Sequence, residues 1–233
     1  MKKNALITGS SSGIGMEIAN VLENSGYRVF RTGRKKINGD NCLSIDISNL
    51  NNVDILYNFV KNNFGEIDIL INNAGYYICS PIEKTTKEEI INLFNLNFLS
   101  HYYLTSLVIP YMKNCSFGRI VNISSISGVL GEGFASLYSS SKSAFYGFSK
   151  SLALELAQFN ITVNSISPGW VETSLTENAL NKEEKEETLE VIPQKRFIKP
   201  VEIANLVKYL ISDEAKGITG QNINLCAGLT CGC

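Results

Sequence analysis

Three polar side chains within residues 121–142 have types and a spacing that suit proton transfer. Tyr138 and Lys142 are four residues apart, so on a helix that begins near Leu137 they lie on one face as neighbours. An ammonium close to a phenol favours the phenolate and lowers the pKa of a tyrosine from roughly 10 towards neutrality. Ser125 adds a hydroxyl that can hydrogen-bond a substrate oxygen. Because tyrosine and lysine also meet at this spacing by chance, the trio predicts proton exchange at a carbonyl or alcohol only with support from the rest of the chain.

Short apolar runs alternate with longer amphipathic segments along the whole chain. Strands are predicted at residues 5–8, 28–32, 42–45, 67–72, 119–123, 162–167 and 222–225. Helices are predicted at residues 13–24, 49–63, 87–113, 136–159 and 200–211, with a further polar helix at 175–191. This alternation indicates a single α/β domain over residues 1–233, with a doubly wound parallel sheet of about seven strands and helices on both faces. Residues 33–41 are too few for a crossover helix of normal length, so we expect a loop or a single turn there.

Length and composition narrow the classes of partner. A chain of 233 residues can form one large core, and its net charge of −1 gives no electrostatic basis for binding nucleic acid or an anionic membrane. No apolar span approaches the length of a membrane helix, and strand-like sequence begins at residue 5 without a signal-type segment before it, so a cytoplasmic protein is expected. The cysteines have no zinc-ligand spacing, so no metal site is expected and their thiols are expected to be reduced: Cys42, Cys79, Cys115, Cys226, Cys231 and Cys233.

A glycine-rich segment, TGSSSGIG at residues 8–15, follows the first strand directly and opens the first helix. Gly9 permits a tight turn, Gly13 lets the backbone approach a phosphate, and Gly15 allows close helix packing, all beside helix amides that favour anions. A plain turn with a helix cap could have the same residues. The position between a strand and a helix favours a dinucleotide site.

The end of the second strand indicates which dinucleotide is bound. An acid there would accept hydrogen bonds from the ribose hydroxyls of NAD, whereas a base would pair with the 2′-phosphate of NADP. Residues 31–36 read RTGRKK, and no acid occurs before Asp40. The sequence therefore favours NADP(H) over NAD(H), although a solvated surface turn could also carry these bases. Arg34 is the first candidate for the phosphate contact, because its guanidinium is always charged and forked, and Lys35 is the second.

Six motifs in order along the chain resemble the short-chain dehydrogenase/reductase family. They are TGSSSGIG at residues 8–15, NNAG at 72–75, Asn97, Ser125, YSSSK at 138–142 and PGWVET at 168–173. The tail over residues 192–228 also looks like that of the family, so the resemblance covers essentially the whole chain. It is closest to the 3-oxoacyl-[acyl-carrier-protein] reductase-like members. The resemblance implies a Rossmann-type fold and an oxidoreductase that interconverts a carbonyl and a secondary alcohol.

The resemblance also implies a role for each residue of the trio. Tyr138 is implied to be the acid/base, and Lys142 is implied to lower the pKa of Tyr138 and to hold the nicotinamide ribose hydroxyls. Of Ser124 and Ser125, the family's distance to the tyrosine selects Ser125 as the residue that orients and polarises the carbonyl. Asn97 is implied to fix a water that links Lys142 to solvent.

Further positions match the family's cofactor contacts. Asp46 and Ile47 match positions at the adenine, residues 73–75 match positions on the adenosine side, and Val171 and Thr173 match positions at the carboxamide and phosphates. The full set implied to bind the cofactor is Gly9, Ser10, Ser11, Ser12, Gly13, Ile14, Gly15, Arg34, Asp46, Ile47, Asn73, Ala74, Gly75, Tyr138, Lys142, Pro168, Gly169, Val171 and Thr173.

Together, the resemblance and the bases after the second strand predict an NADP(H)-dependent ketone reductase. NADP(H) in the cytosol is generally kept reduced, so reduction is the expected direction, and a 3-oxoacyl, steroid or similarly apolar small molecule is the expected substrate. Two alternatives stay open: an NAD-dependent alcohol dehydrogenase, and a non-catalytic dinucleotide-binding redox sensor on the same fold. The resemblance further implies a homodimer or homotetramer that pairs the helices at residues 87–113 and 136–159.

The substrate side is expected to be apolar. Residues 174–194, with an acidic run at 180–190, are predicted to form a mobile lid or, alternatively, an ordinary solvated helix face. A carrier-protein partner would need a basic patch near the pocket mouth, but Ser116 and Phe159 stand where such reductases often have arginine, and Lys113 is the nearest base. His101 is expected to be a packing or surface residue. The predicted pocket walls are Tyr77, Ile126, Val129, Leu130, Phe134 and Trp170.

Overall fold

Seven parallel strands form one sheet in the computed structural model, which describes residues 2–174, 176 and 180–231. The strands are β1 (Asn4–Thr8), β2 (Arg28–Gly33), β3 (Cys42–Ser44), β4 (Ile69–Asn72), β5 (Gly118–Ile123), β6 (Ile161–Pro168) and β7 (Asn222–Leu225). Their order in the sheet is β3-β2-β1-β4-β5-β6-β7. All seven strand predictions are confirmed, and so is the doubly wound α/β class. The direction of winding reverses between β1 and β4, which is where open α/β sheets bind ligands at the carboxyl ends of their strands.

Eight α-helices of the described residues cover the sheet. They are α1 (Gly13–Asn24), α2 (Leu50–Asn63), α3 (Lys87–Phe94), α4 (Ser100–Cys115), α5 (Ser127–Leu130), α6 (Ser136–Leu156), α7 (Lys182–Val191) and α8 (Pro200–Leu210). Helices α1 and α8 pack on one face and α2, α4 and α6 on the other, because side chains of β1 and β4 alternate between two apolar cores. In β1, Ile7 belongs to the first core and Leu6 to the second.

The helices differ from the prediction in three places. The single helix expected at residues 87–113 is divided into α3 and α4 by a π-helical turn, Asn95–Leu99. The polar helix expected at 175–191 begins at Lys182, where Asn181 forms a capping box with Glu184, while Leu175 and residues 177–179 lie outside the described residues. The four-residue helix α5 was not expected. The loop predicted at residues 33–41 is confirmed, since it contains no helix.

No described helix is both long and apolar enough to cross a bilayer. Within the same residues, no group of three or more histidine, cysteine, aspartate or glutamate side chains could hold a metal ion.

Candidate active site

The glycine-rich loop between β1 and α1 depends on the absence of side chains at two positions. Gly9 has a φ of +67°, and a Cβ there would lie 2.7 Å from the Cα of Ala74. A Cβ at Gly15 would collide with the carbonyl oxygen of Gly9 and with the side chain of Asn73. Close packing at Gly15 therefore occurs against this loop and Asn73. The NNAG segment after β4 thus fixes the shape of the loop after β1.

Amides at the start of α1 have no side-chain partner. Ser12, the N-cap residue, has an extended backbone and makes no side-chain capping bond. The first amides of a helix lack partners inside the helix and carry its positive dipole end, so they are suited to an anion such as a pyrophosphate. These residues therefore fit the dinucleotide that the loop predicts.

Ser10 has a different environment from its neighbours. Its buried hydroxyl lies 3.1 Å from the Ile7 carbonyl oxygen and 3.2 Å from that of Thr32, and it accepts a hydrogen bond from the Thr32 amide at 3.0 Å. The side chain thus ties the loop to β2. A cavity begins at this loop and is lined by Gly9 and residues 11–15, but Ser10 is not part of its lining.

A cavity of about 290 Å³ runs from this loop over the carboxyl ends of β1 and β4. Asp46 of the predicted set lies outside its lining, and its carboxylate accepts the Ser48 amide at 2.9 Å. Pro168, Gly169 and Val171 line a neighbouring cavity instead. The predicted cofactor residues that do line it are Gly9, Ser11, Ser12, Gly13, Ile14, Gly15, Arg34, Ile47, Asn73, Ala74, Gly75, Tyr138, Lys142 and Thr173.

The buried orientation of Lys142 determines its effect on Tyr138. Helix α6 places the two residues one turn apart, but the Lys142 Nζ donates to the Ile123 carbonyl at 2.9 Å and lies 5.9 Å from the centre of the Tyr138 ring. Burial raises the pKa of Tyr138 to about 12 despite the lowering effect of the Ser125 hydroxyl. Burial also lowers the pKa of Lys142 to about 8. The predicted fall in the Tyr138 pKa is therefore wrong for this state, because desolvation outweighs an ammonium that faces a carbonyl.

The two adjacent serines have separate environments. The Ser124 hydroxyl donates to the Lys142 carbonyl at 2.8 Å and so fastens α6 to the end of β5. The Ser125 hydroxyl lies beside Tyr138, is 3.1 Å from the Ser127 hydroxyl and accepts the Ser127 amide at 3.1 Å. Ser125 is therefore the serine whose hydroxyl meets that of Tyr138, whereas the Ser124 hydroxyl is used to hold α6.

Asn97 lies in the π-helical turn and is fully buried. Its amide group donates to the Tyr76 carbonyl at 3.0 Å and to the Ser141 hydroxyl at 3.1 Å, while its oxygen accepts the Tyr76 amide at 3.0 Å. A Cβ at Gly75 would be 3.1 Å from the Asn97 oxygen and 3.4 Å from the Lys142 Nζ. The Asn97 side chain is near Lys142, but its hydrogen bonds hold the loop after β4 against α6.

His101 is confirmed as a packing residue and is not at the surface. Its ring nitrogens lie 3.0 Å from the Thr8 hydroxyl and 3.3 Å from the Asn97 carbonyl oxygen. Burial lowers its pKa to about 3, so the ring is neutral at physiological pH. His101 thus links the end of β1 to the π-helical turn.

A second cavity, of about 590 Å³, opens beside the first. The two cavities share Tyr138, along with Ile14, Tyr77, Ser124 and Thr173. Of the predicted walls, Tyr77, Ile126, Leu130 and Trp170 line it, whereas Val129 and Phe134 do not. Three polar lining residues were missed: Cys79, Ser127 and Glu132. An acidic residue between two glycines, six positions before Tyr138, was the sequence signal that could have found Glu132.

The segment predicted as a lid contributes only its beginning to the second cavity. Thr176 and Leu180 line the cavity, but no residue of α7 does. Most of the charged side chains of α7 are exposed, and the helix has no buried residue. Helix α7 is therefore an ordinary solvated helix, which was the alternative to the predicted lid.

The positions compared with a carrier-protein landing patch lie away from the cavities. Ser116 and Phe159 precede β5 and β6, whereas both cavities open where those strands end, at Ser124 and Pro168. Lys113 forms an ion pair with Glu155 at 3.1 Å. The expectation that these residues lie near the pocket mouth is wrong for this chain's own pocket, because parallel strands place their two ends on opposite edges of the sheet.

Comparisons with known proteins agree with this geometry. Residues 9–230 match the family described as enoyl-(acyl carrier protein) reductase. The 3-oxoacyl-[acyl-carrier-protein] reductase of Vibrio cholerae is 35% identical, with 97% of each chain covered. A crystal structure of a variant actinorhodin polyketide ketoreductase with NADPH has a TM-score of 0.92 and 33% identity, covering 98% of this chain and 97% of that one. The ligand-free aldohexose dehydrogenase of Thermoplasma acidophilum has the same TM-score and 29% identity, covering 98% and 94%.

Proposed function

Because this chain belongs to the short-chain dehydrogenase/reductase family of oxidoreductases, we propose that it reduces a ketone to a secondary alcohol with NADPH. The observation that carries the proposal is the position of Tyr138, which is shared by the glycine-loop cavity and the second cavity. A proton donor at that junction can serve a substrate on one side while a dinucleotide occupies the other. Bound nicotinamide supplies the hydride, and the protein supplies orientation and the proton.

Each residue of the trio then has one task at the carbonyl oxygen. Ser125 turns its hydroxyl hydrogen from the Ser127 hydroxyl to the carbonyl oxygen and so orients the carbonyl. Tyr138 gives its proton to the oxygen as negative charge develops there, and the buried Lys142 ammonium stabilises that charge. A tyrosine with a pKa of about 12 is protonated at neutral pH, which is the form that reduction requires. This supports the reducing direction.

NADP(H) is favoured by the bases at the end of β2. Arg34 and Lys35 line the cavity rim, whereas Arg31 is held by Glu23 at 2.7 Å and by Asn20 at 2.7 Å. Gly33 leaves room there, since a Cβ would lie 2.8 Å from the Ser11 hydroxyl. Neither Arg34 nor Lys35 forms an ion pair with a described carboxylate, so both charges are available to a 2′-phosphate.

A screen of cofactor consumption tests the proposal. We expect the purified protein to oxidise NADPH faster than NADH with at least one ketone among acyl thioesters, steroids, sugars and small ketones, and to form the corresponding alcohol. Binding of NADPH without turnover of any of these classes would contradict the enzyme proposal and favour the redox sensor. Faster turnover with NADH would favour the NAD-dependent alcohol dehydrogenase.

Assembly into a homodimer or homotetramer through α4 and α6 is also proposed. On α6, Phe145 and Leu156 are buried in the chain's own core, but Leu154 is 85% exposed, and Tyr102 of α4 is 53% exposed. Exposed apolar groups on the two helices support a contact between copies. Light scattering after size exclusion is expected to give two or four chain masses; a single chain mass would contradict this proposal.

A further inference from the structure

One carboxylate lies in the wall of the second cavity, which was expected to be apolar. Glu132 is in the loop between α5 and α6. One of its oxygens accepts the Tyr77 hydroxyl at 2.6 Å, and the other accepts the Ser127 hydroxyl at 2.6 Å. Both donors line the same cavity. The three side chains therefore form a polar cluster, Tyr77, Ser127 and Glu132, in the substrate space.

The loop that carries Glu132 has an unusual backbone conformation that hydrogen bonds stabilise. Gly131 has a φ of +76°, and Phe134, which is not a glycine, has a φ of +61°. A bulky residue adopts this conformation only where surrounding contacts compensate for its cost. Here the Phe134 carbonyl accepts a hydrogen bond from the Ser80 amide at 2.6 Å, and the Gly131 amide donates to the Ser127 carbonyl at 3.0 Å. The carboxylate is thus positioned before any substrate arrives.

The polar cluster is next to the groups that act on the carbonyl. The Ser125 and Ser127 hydroxyls are 3.1 Å apart, so the Glu132 carboxylate is two hydrogen bonds from Ser125. The Tyr77 ring packs edge-on against that of Tyr138 with their centres 5.0 Å apart. A substrate whose carbonyl oxygen reaches Ser125 and Tyr138 therefore presents its nearest carbon substituents to Glu132.

Charge and hydrogen-bonding capacity decide what those substituents can be. No lysine, arginine or histidine occurs among the described residues that line the second cavity, so Glu132 faces no cation there. A carboxylate has about four lone-pair sites, of which Tyr77 and Ser127 occupy two. A purely apolar chain at this place would remove water from the remaining sites without replacing its hydrogen bonds, which is unfavourable. An anionic group would be repelled.

We propose that Glu132 binds a hydroxyl group on a carbon close to the substrate carbonyl, so that the protein reduces hydroxyketones to diols. This inference rests on the proposed ketone reduction and narrows its substrate class. The hydroxyl donates to a free lone pair of Glu132 while the carbonyl oxygen contacts Ser125 and Tyr138. In the reaction the carbonyl carbon gains a hydride and its oxygen gains the Tyr138 proton; the bound hydroxyl is unchanged.

Matched substrates test the inference. Reduction of 3-hydroxy-2-butanone is compared with that of 2-butanone, which lacks only the hydroxyl, and with that of a 3-oxobutyryl thioester. Because a hydrogen bond to a charged group is involved, kcat/KM for the hydroxyketone is expected to exceed that for 2-butanone by about 10- to 100-fold. In E132Q this ratio is expected to fall by on the order of tenfold. The matched control E183Q changes an exposed acid of α7, and the ratio should keep its wild-type value.

The outcomes separate the inference from the function on which it rests. Equal kcat/KM for 2-butanone and its hydroxy derivative, or a clear preference for the thioester, would overturn the hydroxyketone class while ketone reduction stood. Equal losses on both ketones in E132Q, with the ratio unchanged, would make Glu132 a positioning residue for Ser125. If no ketone is reduced, binding of the diol tests the inference by itself. In that case 2,3-butanediol should raise the Tm of the NADP-saturated wild-type protein more than that of E132Q. Equal shifts in Tm would overturn the inference.

Discussion

The two cavities that meet at Tyr138 are built in different ways. The glycine-loop cavity is shaped by backbone, through the turn at Gly9, the close approach at Gly15 and the uncapped start of α1. The second cavity is shaped by side chains from distant parts of the chain, such as Tyr77 and Glu132. A backbone-defined site suits a ligand that is always the same, because few substitutions can change it. A side-chain-defined site can change its ligand by single substitutions.

The largest effect on cofactor binding is expected where the backbone itself defines the cavity. In Gly15→Ala the new methyl would collide with the Gly9 carbonyl oxygen and Asn73, so the loop must move. NADPH affinity, measured by fluorescence titration, is expected to fall about 100-fold or more, because the displaced loop no longer places its amides at the cofactor phosphates. Gly217→Ala is the matched control, because a Cβ there meets nothing within 4 Å and Gly217 lies outside both cavities. It should keep the NADPH affinity of the wild type. Equal effects of the two changes would contradict a backbone-defined site.

A smaller effect is expected at the rim of the glycine-loop cavity, where we propose that Arg34 binds the 2′-phosphate of the cofactor. Arg34→Ala should raise the Michaelis constant for NADPH by about 10- to 100-fold and that for NADH much less, because a charge-assisted contact to the 2′-phosphate is lost. Lys36→Ala removes a nearby positive charge that does not line the cavity, so it serves as the control. Equal changes for the two cofactors in Arg34→Ala would exclude it as the phosphate ligand.

The pH dependence of reduction should report the charge of Lys142, which lines the glycine-loop cavity beside Tyr138. Burial lowers the pKa of Lys142 to about 8, so its ammonium is fully charged well below pH 8 and is lost as the pH rises through that value. Because this charge stabilises the developing oxyanion, kcat/KM for reduction is expected to be flat at lower pH and to fall up to about tenfold for each unit above pH 8. In Lys142→Arg, whose charge persists, that decline should disappear. A decline that persists in this variant would belong to another group.

The smallest effect distinguishes Ser10 from the cavity residues around it. Ser10→Ala removes the acceptor of the buried Thr32 amide and is expected to lower the free energy of unfolding by about 1–3 kcal/mol. The change in NADPH affinity should be smaller in Ser10→Ala than in Ser11→Ala, because Ser11 lines the cavity. Denaturant unfolding and cofactor titration of both variants measure the difference. A larger loss of NADPH affinity in Ser10→Ala than in Ser11→Ala would indicate that Ser10 contacts the cofactor phosphates.

Local patterns were sufficient for the sheet and for the place of the glycine-rich loop between β1 and α1. The strands β4, β5 and β6 are buried along their whole length, and β-branched residues between turn residues mark them in the sequence. The glycine-rich loop and α1 are adjacent in the chain, which makes their arrangement predictable. Helix α5 has only four residues, too few for a helical periodicity. The π-helical turn at Asn97 depends on contacts with Tyr76 and Ser141.

Features that depend on long-range contacts were not predictable. Tyr77 and Glu132 are 55 residues apart and meet only because β4 and β5 are neighbours in the sheet. The raised pKa of Tyr138 depends on burial and on where the Lys142 ammonium points, and helical spacing shows neither. Ser10 has the same side chain as Ser11 and Ser12, and only the neighbouring β2 separates its role from theirs.

Tyr138→Phe is the most direct test of the proposal that Tyr138, where the two cavities meet, donates the proton. The change removes only the hydroxyl, while Tyr209→Phe makes the same change on an exposed side chain of α8, outside both cavities. Steady-state reduction of the best ketone with saturating NADPH should show kcat lowered by about 10²- to 10⁴-fold in Tyr138→Phe, with Tyr209→Phe at the wild-type value. A kcat for Tyr138→Phe within twofold of the wild type would contradict the account.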